Sequence, residues 1–326
     1  MQRYQNISMF LSISAISTLD LEFAYGGSMG KIGRFLTAMV TPYTNDGEVD
    51  YTGARTLART LVEAGNDGVV VTGTTGEAPL LTNDEKYRLW EEVKDELQEN
   101  ATVIAGAGTN DTSHSIELAK LAENAGVDAI LAVTPYYLRP PQDGIILHFE
   151  KIAEASTLPI IVYNVPSRTG TNLTTETLVR LANTPNIIGN KEANGDLHST
   201  AELMELEPSF KIWSGNDNDN FHLWCMGAWG AISVTGHIVT KQQKEMLEKV
   251  LSGDIKGAAA IHRRLVPLTN ACFEYGNPTT IRGIMRHLGK PIGEPRLPIL
   301  EPTKEKIEKV MIEIKKHELD SSYDSK

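Results

Sequence analysis

The sequence predicts an α/β fold, a (β/α)₈ TIM barrel with a C-terminal helical appendix, and three observations predict it. Short apolar runs rich in β-branched residues recur eight times, at 34–40, 68–72, 102–105, 129–133, 159–163, 186–191, 210–214 and 230–235. The segments between them carry the apolar spacing of helices. After about residue 254 the strand-like runs stop and only helical segments remain. Continuous apolar strands alternating with helices indicate a parallel sheet covered on both faces. Eight such units in about 220 residues suit a closed barrel. An open doubly wound sheet shares the periodicity and differs only in closure.

The elements follow in order. The first strand leads to a helix at 49–64 that stops at Gly65. The second ends in a glycine-flanked turn, after which Thr82-Asn83-Asp84-Glu85 forms a capping box for a helix reaching Leu97. The third and fourth strands precede helices at 112–124 and 144–155. Helices at 174–182, 201–205, 218–226 and 240–251 follow the last four strands. Three more helices, at 254–272, 278–288 and 303–319, form the appendix. The expected organisation is a catalytic barrel over 31–253, a helical region over 254–326, and a disordered extension over 1–28 with Met29 as the effective start.

Composition narrows the function. The 326 residues include 42 acidic and 31 basic side chains, for a net charge of −11. An acidic balance argues against nucleic acid or anionic membrane as partner. No run approaches the roughly 20 apolar residues of a membrane-spanning helix. The apolar stretch Met9-Phe10-Leu11-Ser12-Ile13-Ser14-Ala15-Ile16 is too weak for a secretory signal, and Asp20 and Glu22 do not fit a transit peptide. Cys225 and Cys272 sit in no metal or redox motif and are expected as reduced thiols. The oxygen-rich Gly215-Asn216-Asp217-Asn218-Asp219 lacks the distal glutamate of a calcium loop.

Barrel enzymes place their chemistry where strands end, and the unusual residues of this chain fall there. Strand two ends in Gly73-Thr74-Thr75-Gly76-Glu77 and strand four in Thr134-Pro135-Tyr136-Tyr137. Strand five ends in Tyr163-Asn164-Val165-Pro166-Ser167-Arg168-Thr169-Gly170, and strand six in Lys191-Glu192-Ala193. A lysine at the mouth of an apolar barrel loses proton affinity by burial, and its neutral amine attacks carbonyls. Thr74 and Thr75 offer hydroxyls and N–H groups for a carboxylate. Tyr163 lies one strand from Lys191 and suits proton transfer. Arg168 offers a fork for a second carboxylate. Singly, each has a structural reading: a surface lysine, a common turn, rim aromatics, a salt-bridge arginine. Their placement at successive strand ends is what points to a site.

These motifs, with Ser214-Gly215, resemble those of the dihydrodipicolinate synthases, members of the pyruvate-dependent class I aldolases that include N-acetylneuraminate lyase. The resemblance runs over about residues 31 to 300, in the family's order and near its spacing. It implies a lyase that condenses pyruvate, held as a Schiff base on Lys191, with L-aspartate 4-semialdehyde in diaminopimelate and lysine biosynthesis. No separate cofactor and no metal is implied. Thr75 would hold the pyruvate carboxylate, and Tyr163, Thr74 and Tyr137 would relay protons, Tyr137 in a neighbouring subunit's site. Arg168 would bind the semialdehyde carboxylate, and the backbones of Gly215 and Ile232 would line the site. A cytoplasmic homotetramer, a dimer of dimers, is implied as well. Neuraminate lyases typically have serine at the position of Thr74 and lack the arginine of Ser167-Arg168-Thr169-Gly170, which favours the synthase over a sugar-acid or neuraminate lyase. Lysine-sensitive bacterial members commonly have histidines where Asn83 and Lys86 stand and a glutamate aligned with His114, whereas Asn110 and Tyr136 match. An anionic partner for a bound lysine's ammonium is thus missing and Lys86 adds repulsion, so weak or absent inhibition by lysine is expected.

Overall fold

A computed structural model describes residues 32–319, and the proposed extension at 1–28 lies outside them. Eight parallel strands close in chain order, with the last pairing back onto the first. They are β1 (Phe35–Ala38), β2 (Gly68–Val71), β3 (Thr102–Gly106), β4 (Ala129–Val133), β5 (Ile160–Asn164), β6 (Ile187–Glu192), β7 (Lys211–Ser214) and β8 (Gly230–Ser233). Closure excludes the open sheet. The helices of the barrel are α1 (Tyr51–Glu63), α2 (Asn83–Leu97), α3 (Thr112–Asn124), α4 (Gln142–Ala155), α5 (Pro166–Thr169), α6 (Thr175–Ala182), α7 (Leu197–Leu206), α8 (Asn220–Cys225) and α9 (Thr240–Leu251). The appendix is α10 (Ile255–Phe273), α11 (Thr279–His287) and α12 (Lys304–Ile314).

Strand alternation divides the apolar residues into two cores. Leu36, Val70, Ile104, Leu131, Ile161 and Trp213 point inward and fill the barrel. Val69, Val103, Ile130, Val162 and Ile212 point outward against helix residues such as Leu61, Trp90, Leu118 and Phe149. Both faces are buried, which is why the strands read as unbroken apolar runs.

Two differences from the sequence reading have local causes. β5 and β6 each continue one residue beyond the apolar run, to Asn164 and Glu192, because these polar residues pair across the ladder and bond to each other. α7 starts at Leu197, ahead of the expected residue 201, because the Asp196 carboxylate accepts from the backbone N–H groups of His198 and Ser199. The first turn after that cap is polar and carries no helical apolar period.

The appendix is tied to the barrel mouth by a buried ion pair. The fully buried Arg282 of α11 donates to Glu77 Oε1 at 2.8 Å and to the carbonyls of Thr41 (2.7 Å), Ile292 (3.0 Å) and Gly293 (3.1 Å). Glu77 belongs to the turn after β2 and adopts a left-handed φ of 60°. An Arg282→Met variant leaves that carboxylate buried without its ion-pair partner and with only the weaker influence of Arg296. Denaturant unfolding is expected to show a loss of about 3–5 kcal/mol; a loss below about 1 kcal/mol would contradict the anchoring role.

Candidate active site at the barrel mouth

Lys191 ends the inward-facing row of β6. It pairs across the ladder with Tyr163 on one side and Trp213 on the other. Two glycines make its position available. Gly189, two residues earlier on the same face, leaves room for Trp213: a Cβ there would lie 2.7 Å from the indole. Gly215, just past β7, lies against the lysine stem, where a Cβ would sit 3.2 Å from Lys191 Cε and 2.9 Å from Glu192 O. The amine is therefore walled in, with 5% of the residue exposed and Nζ 4.3 Å from the centroid of the Tyr163 ring. Burial pulls its pKa down to about 7; Asp217 partly restores it and Arg168 lowers it further. A neutral, nucleophilic amine is thus populated near neutral pH.

Tyr163 is buried beside it and hydrogen-bonds through its side chain to Thr74. Burial raises the phenol's pKa, opposed by Arg168 and the Thr74 bond, so it remains a proton donor. Thr74 and Thr75 sit on a turn held by Glu77 N–H to Thr74 O (3.0 Å), Ala78 N–H to Gly73 O (3.2 Å) and the Thr41 hydroxyl to Gly76 O (2.7 Å). Arg168 lies at the exposed rim on α5, a short helix opened by Pro166 and stopped by Gly170 in the left-handed region.

Six of the eight predicted substrate-site residues line one cavity of about 180 Å³: Lys191, Tyr163, Thr74, Thr75, Arg168 and Gly215. Two do not. Ile232 packs in the barrel interior one layer lower, and Val234 takes the wall position on the β8 side. β8 ends at Ser233, and Val234 leaves the strand with a helical backbone conformation that brings it to the cavity. Tyr137 has a φ of 73° and is 86% exposed, outside its own chain's cavity. A second cavity of about 240 Å³ shares Thr74, Tyr163, Val165 and Arg168 and extends to Lys86 and Tyr136.

Sequence reasoning missed Asn277. It comes from the loop between α10 and α11, yet its Nδ2 donates to Thr75 Oγ1 at 2.9 Å and its carbonyl accepts from Arg168 Nη2 at 3.0 Å. One asparagine in a polar loop, about 200 residues from its partner, carries no periodic or motif signal. Asp217, noted only in the oxygen-rich stretch, accepts from the Ser233 hydroxyl and from the N–H groups of Val234 (3.0 Å) and Thr235 (2.9 Å). It clamps the β7 loop to the β8 loop and places a negative charge near Lys191.

The residues singled out for effector binding are only partly grouped. His114 Nε2 and Asn83 Oδ1 are 2.9 Å apart, and Asn83 Nδ2 donates to Glu117 Oε1 at 3.0 Å. Glu117, an exposed acid the sequence reading did not weigh, thus stands about one helical turn beyond His114. Lys86 is 5% exposed and lines the second cavity with Tyr136. Asn110 lies in the loop before α3 and lines neither cavity.

The dihydrodipicolinate synthetase family matches residues 31–317. This chain belongs to that family. It is 48% identical over 284 residues to the 4-hydroxy-tetrahydrodipicolinate synthase of Moorella thermoacetica, spanning 87% of this chain and 97% of the relative. Among solved structures, the dihydrodipicolinate synthase of Cyanidioschyzon merolae with lysine bound is 40% identical with a TM-score of 0.84, covering 86% of this chain and 98% of that one. The chloride-inhibited enzyme of Acinetobacter baumannii complexed with pyruvate is 36% identical, TM-score 0.84, over 87% and 98% of the two chains.

The electrostatics are testable without substrate. Trace acetylation of Lys191 by acetic anhydride, read by peptide mass spectrometry, should rise with pH and inflect near 7, because only the neutral amine reacts. Arg168→Gln removes a cation that holds the amine's proton off, so its inflection should move to higher pH. An inflection near the ordinary lysine value of about 10.4 would contradict the burial effect.

Proposed function

We propose that this mouth condenses pyruvate with L-aspartate 4-semialdehyde to give 4-hydroxy-tetrahydrodipicolinate, in diaminopimelate and lysine biosynthesis. The observation that carries the reading is a walled-in amine with a pKa of about 7, in contact with Tyr163 and one side chain from Thr74. The neutral Lys191 attacks C2 of pyruvate, and water leaves as the Schiff base forms. Thr75 and the turn's N–H groups hold the carboxylate. Tyr163 and Thr74 shuttle protons, including the one lost from C3 as the enamine forms. The enamine carbon then attacks the aldehyde, whose own amine displaces Lys191 as the ring closes, restoring the free lysine. Arg168 holds the second carboxylate with its fork. The chemistry needs no separate cofactor or metal, because the protein's amine is the electron sink.

Tyr137 takes part in this reading from a neighbouring subunit, supported by its exposure outside its own cavity. A homotetramer built as a dimer of dimers, and a cytoplasmic location, accompany the reading and rest on the family resemblance. Among the described residues no helix is long and apolar enough to cross a membrane. A sugar-acid or neuraminate lyase is disfavoured by Thr74 and Arg168, both on the cavity wall, and by the synthase name of the relatives. Intact-mass spectrometry after pyruvate and borohydride, with peptide mapping, is expected to show an adduct on Lys191 that disappears in Lys191→Ala. A folded protein that traps no pyruvate would refute the reading.

Weak or absent inhibition by lysine remains part of the proposal. Lys86 is buried against the second cavity, and burial alone lowers its pKa, with no ion-pair partner among the described residues. A ligand ammonium there would face that amine, and Glu117 is engaged by Asn83. The lysine complex of the Cyanidioschyzon relative is the opposing precedent. Turnover assayed against lysine is expected to lose half its rate only above millimolar effector, and half-maximal inhibition below millimolar would overturn the inference.

A further inference from the structure

We propose that Glu192 is a positioning residue for this site: its buried carboxylate, on the outer face of β6, braces the two strand ends that hold Lys191 and Tyr163 in register. The proposal rests on the Schiff-base reading of Lys191. Strand alternation turns Glu192 away from the cavity that its neighbour Lys191 lines, and the residue is 4% exposed. The carboxylate nevertheless collects donors from every direction. Oε1 accepts from Asn164 Nδ2 at 3.1 Å and from the Asn194 N–H at 2.7 Å. Oε2 accepts from Asn190 Nδ2 at 2.8 Å and from Asn164 Nδ2 at 3.2 Å.

The identity of these donors gives the network its meaning. Asn164 directly follows Tyr163, and it pairs with Glu192 across the ladder as Tyr163 pairs with Lys191. The same asparagine donates to Asn172 Oδ1 at 2.9 Å and accepts from the Leu173 N–H at 3.2 Å, in the segment after Arg168. The backbone of Glu192 continues the brace toward β7, its carbonyl accepting from Gly215 N–H at 2.7 Å. One residue therefore links the strand ends behind the amine and the phenol, the stretch leading from Arg168, and the glycine against the lysine stem. None of its atoms lies on the cavity wall.

A carboxylate meets this set of donors as they stand. It presents two acceptor oxygens and no N–H, whereas glutamine has one acceptor and two donors. In Glu192→Gln an NH₂ group faces the donating amides of Asn164 or Asn190. A buried carboxylate is costly, and burial pushes Glu192 up to about 7 against the pull of Asn164, Asn194 and Asn190.

The test pairs Glu192→Gln with the polarity-swapped double variant Glu192→Gln/Asn164→Asp, which returns an amide-to-carboxylate bond with donor and acceptor exchanged. Wild type is first trapped with pyruvate and borohydride. Glu192→Gln is expected to lower kcat roughly 10–100-fold, with the KM for pyruvate and the thermal midpoint little changed, the size expected of a small misplacement of reacting groups. The double variant is expected to recover about tenfold of kcat. Unchanged kcat in Glu192→Gln, a loss that tracks a falling thermal midpoint, or no recovery in the double variant would overturn the brace while leaving the Lys191 reading intact. Failure of the wild type to trap pyruvate would overturn both.

Discussion

The desolvation of one amine is the constraint on which the rest of this structure depends. Lys191 lies on the inner wall of a closed barrel, beside Trp213 in the ladder and against the ring of Tyr163. An ammonium in that position lacks most of its hydration, and the protein offsets this only partly, through Asp217. The residual cost is what lowers the pKa. Stability is given up where reactivity is needed, and the closed apolar sheet around the site supplies the excess that makes this tolerable.

The loops around that amine are each held by a polar contact, buried at Arg282 and Asp217 and partly exposed at Asn277. Arg282 anchors the turn carrying Thr74 and Thr75 through Glu77. Asp217 clamps the β7 and β8 loops, using N–H groups that would otherwise be orphaned at the end of β8. Asn277 joins Thr75 to Arg168 from outside the barrel. Arg282 and Asn277 act across some 200 residues of sequence, and Asp217 across 17 or 18. The C-terminal helices are therefore part of how the mouth is built, although no strand of the barrel belongs to them.

The strand ends of β5 and β6 show the same logic at shorter range. Residues facing the cavity do the chemistry in the proposed reaction, and their immediate neighbours, facing outward, bond to one another. Period-two alternation gives every reacting side chain a partner position behind the sheet. Polar residues in those positions tie adjacent strands more tightly than apolar packing does, because a hydrogen bond has a direction and a dispersion contact does not.

Local information sufficed for the strands, most helix ends, and the order of motifs along the chain. Apolar runs, capping residues and glycine stops act over a few residues, so they are legible without knowing the fold. The placement of Lys191, Tyr163, Thr74, Thr75, Arg168 and Gly215 on one cavity wall was legible too, because a parallel barrel brings all its strand ends to one face. Closure itself, the substitution of Val234 for Ile232 at the wall, and the engagement of Asn277, Arg282 and Glu192 were decided only by tertiary structure. Each depends on which face a residue takes once the barrel has closed, or on a contact across some 30 to 200 residues. Such contacts leave no trace in local composition, since a buried asparagine or arginine reads like any surface polar residue until its partner is in place.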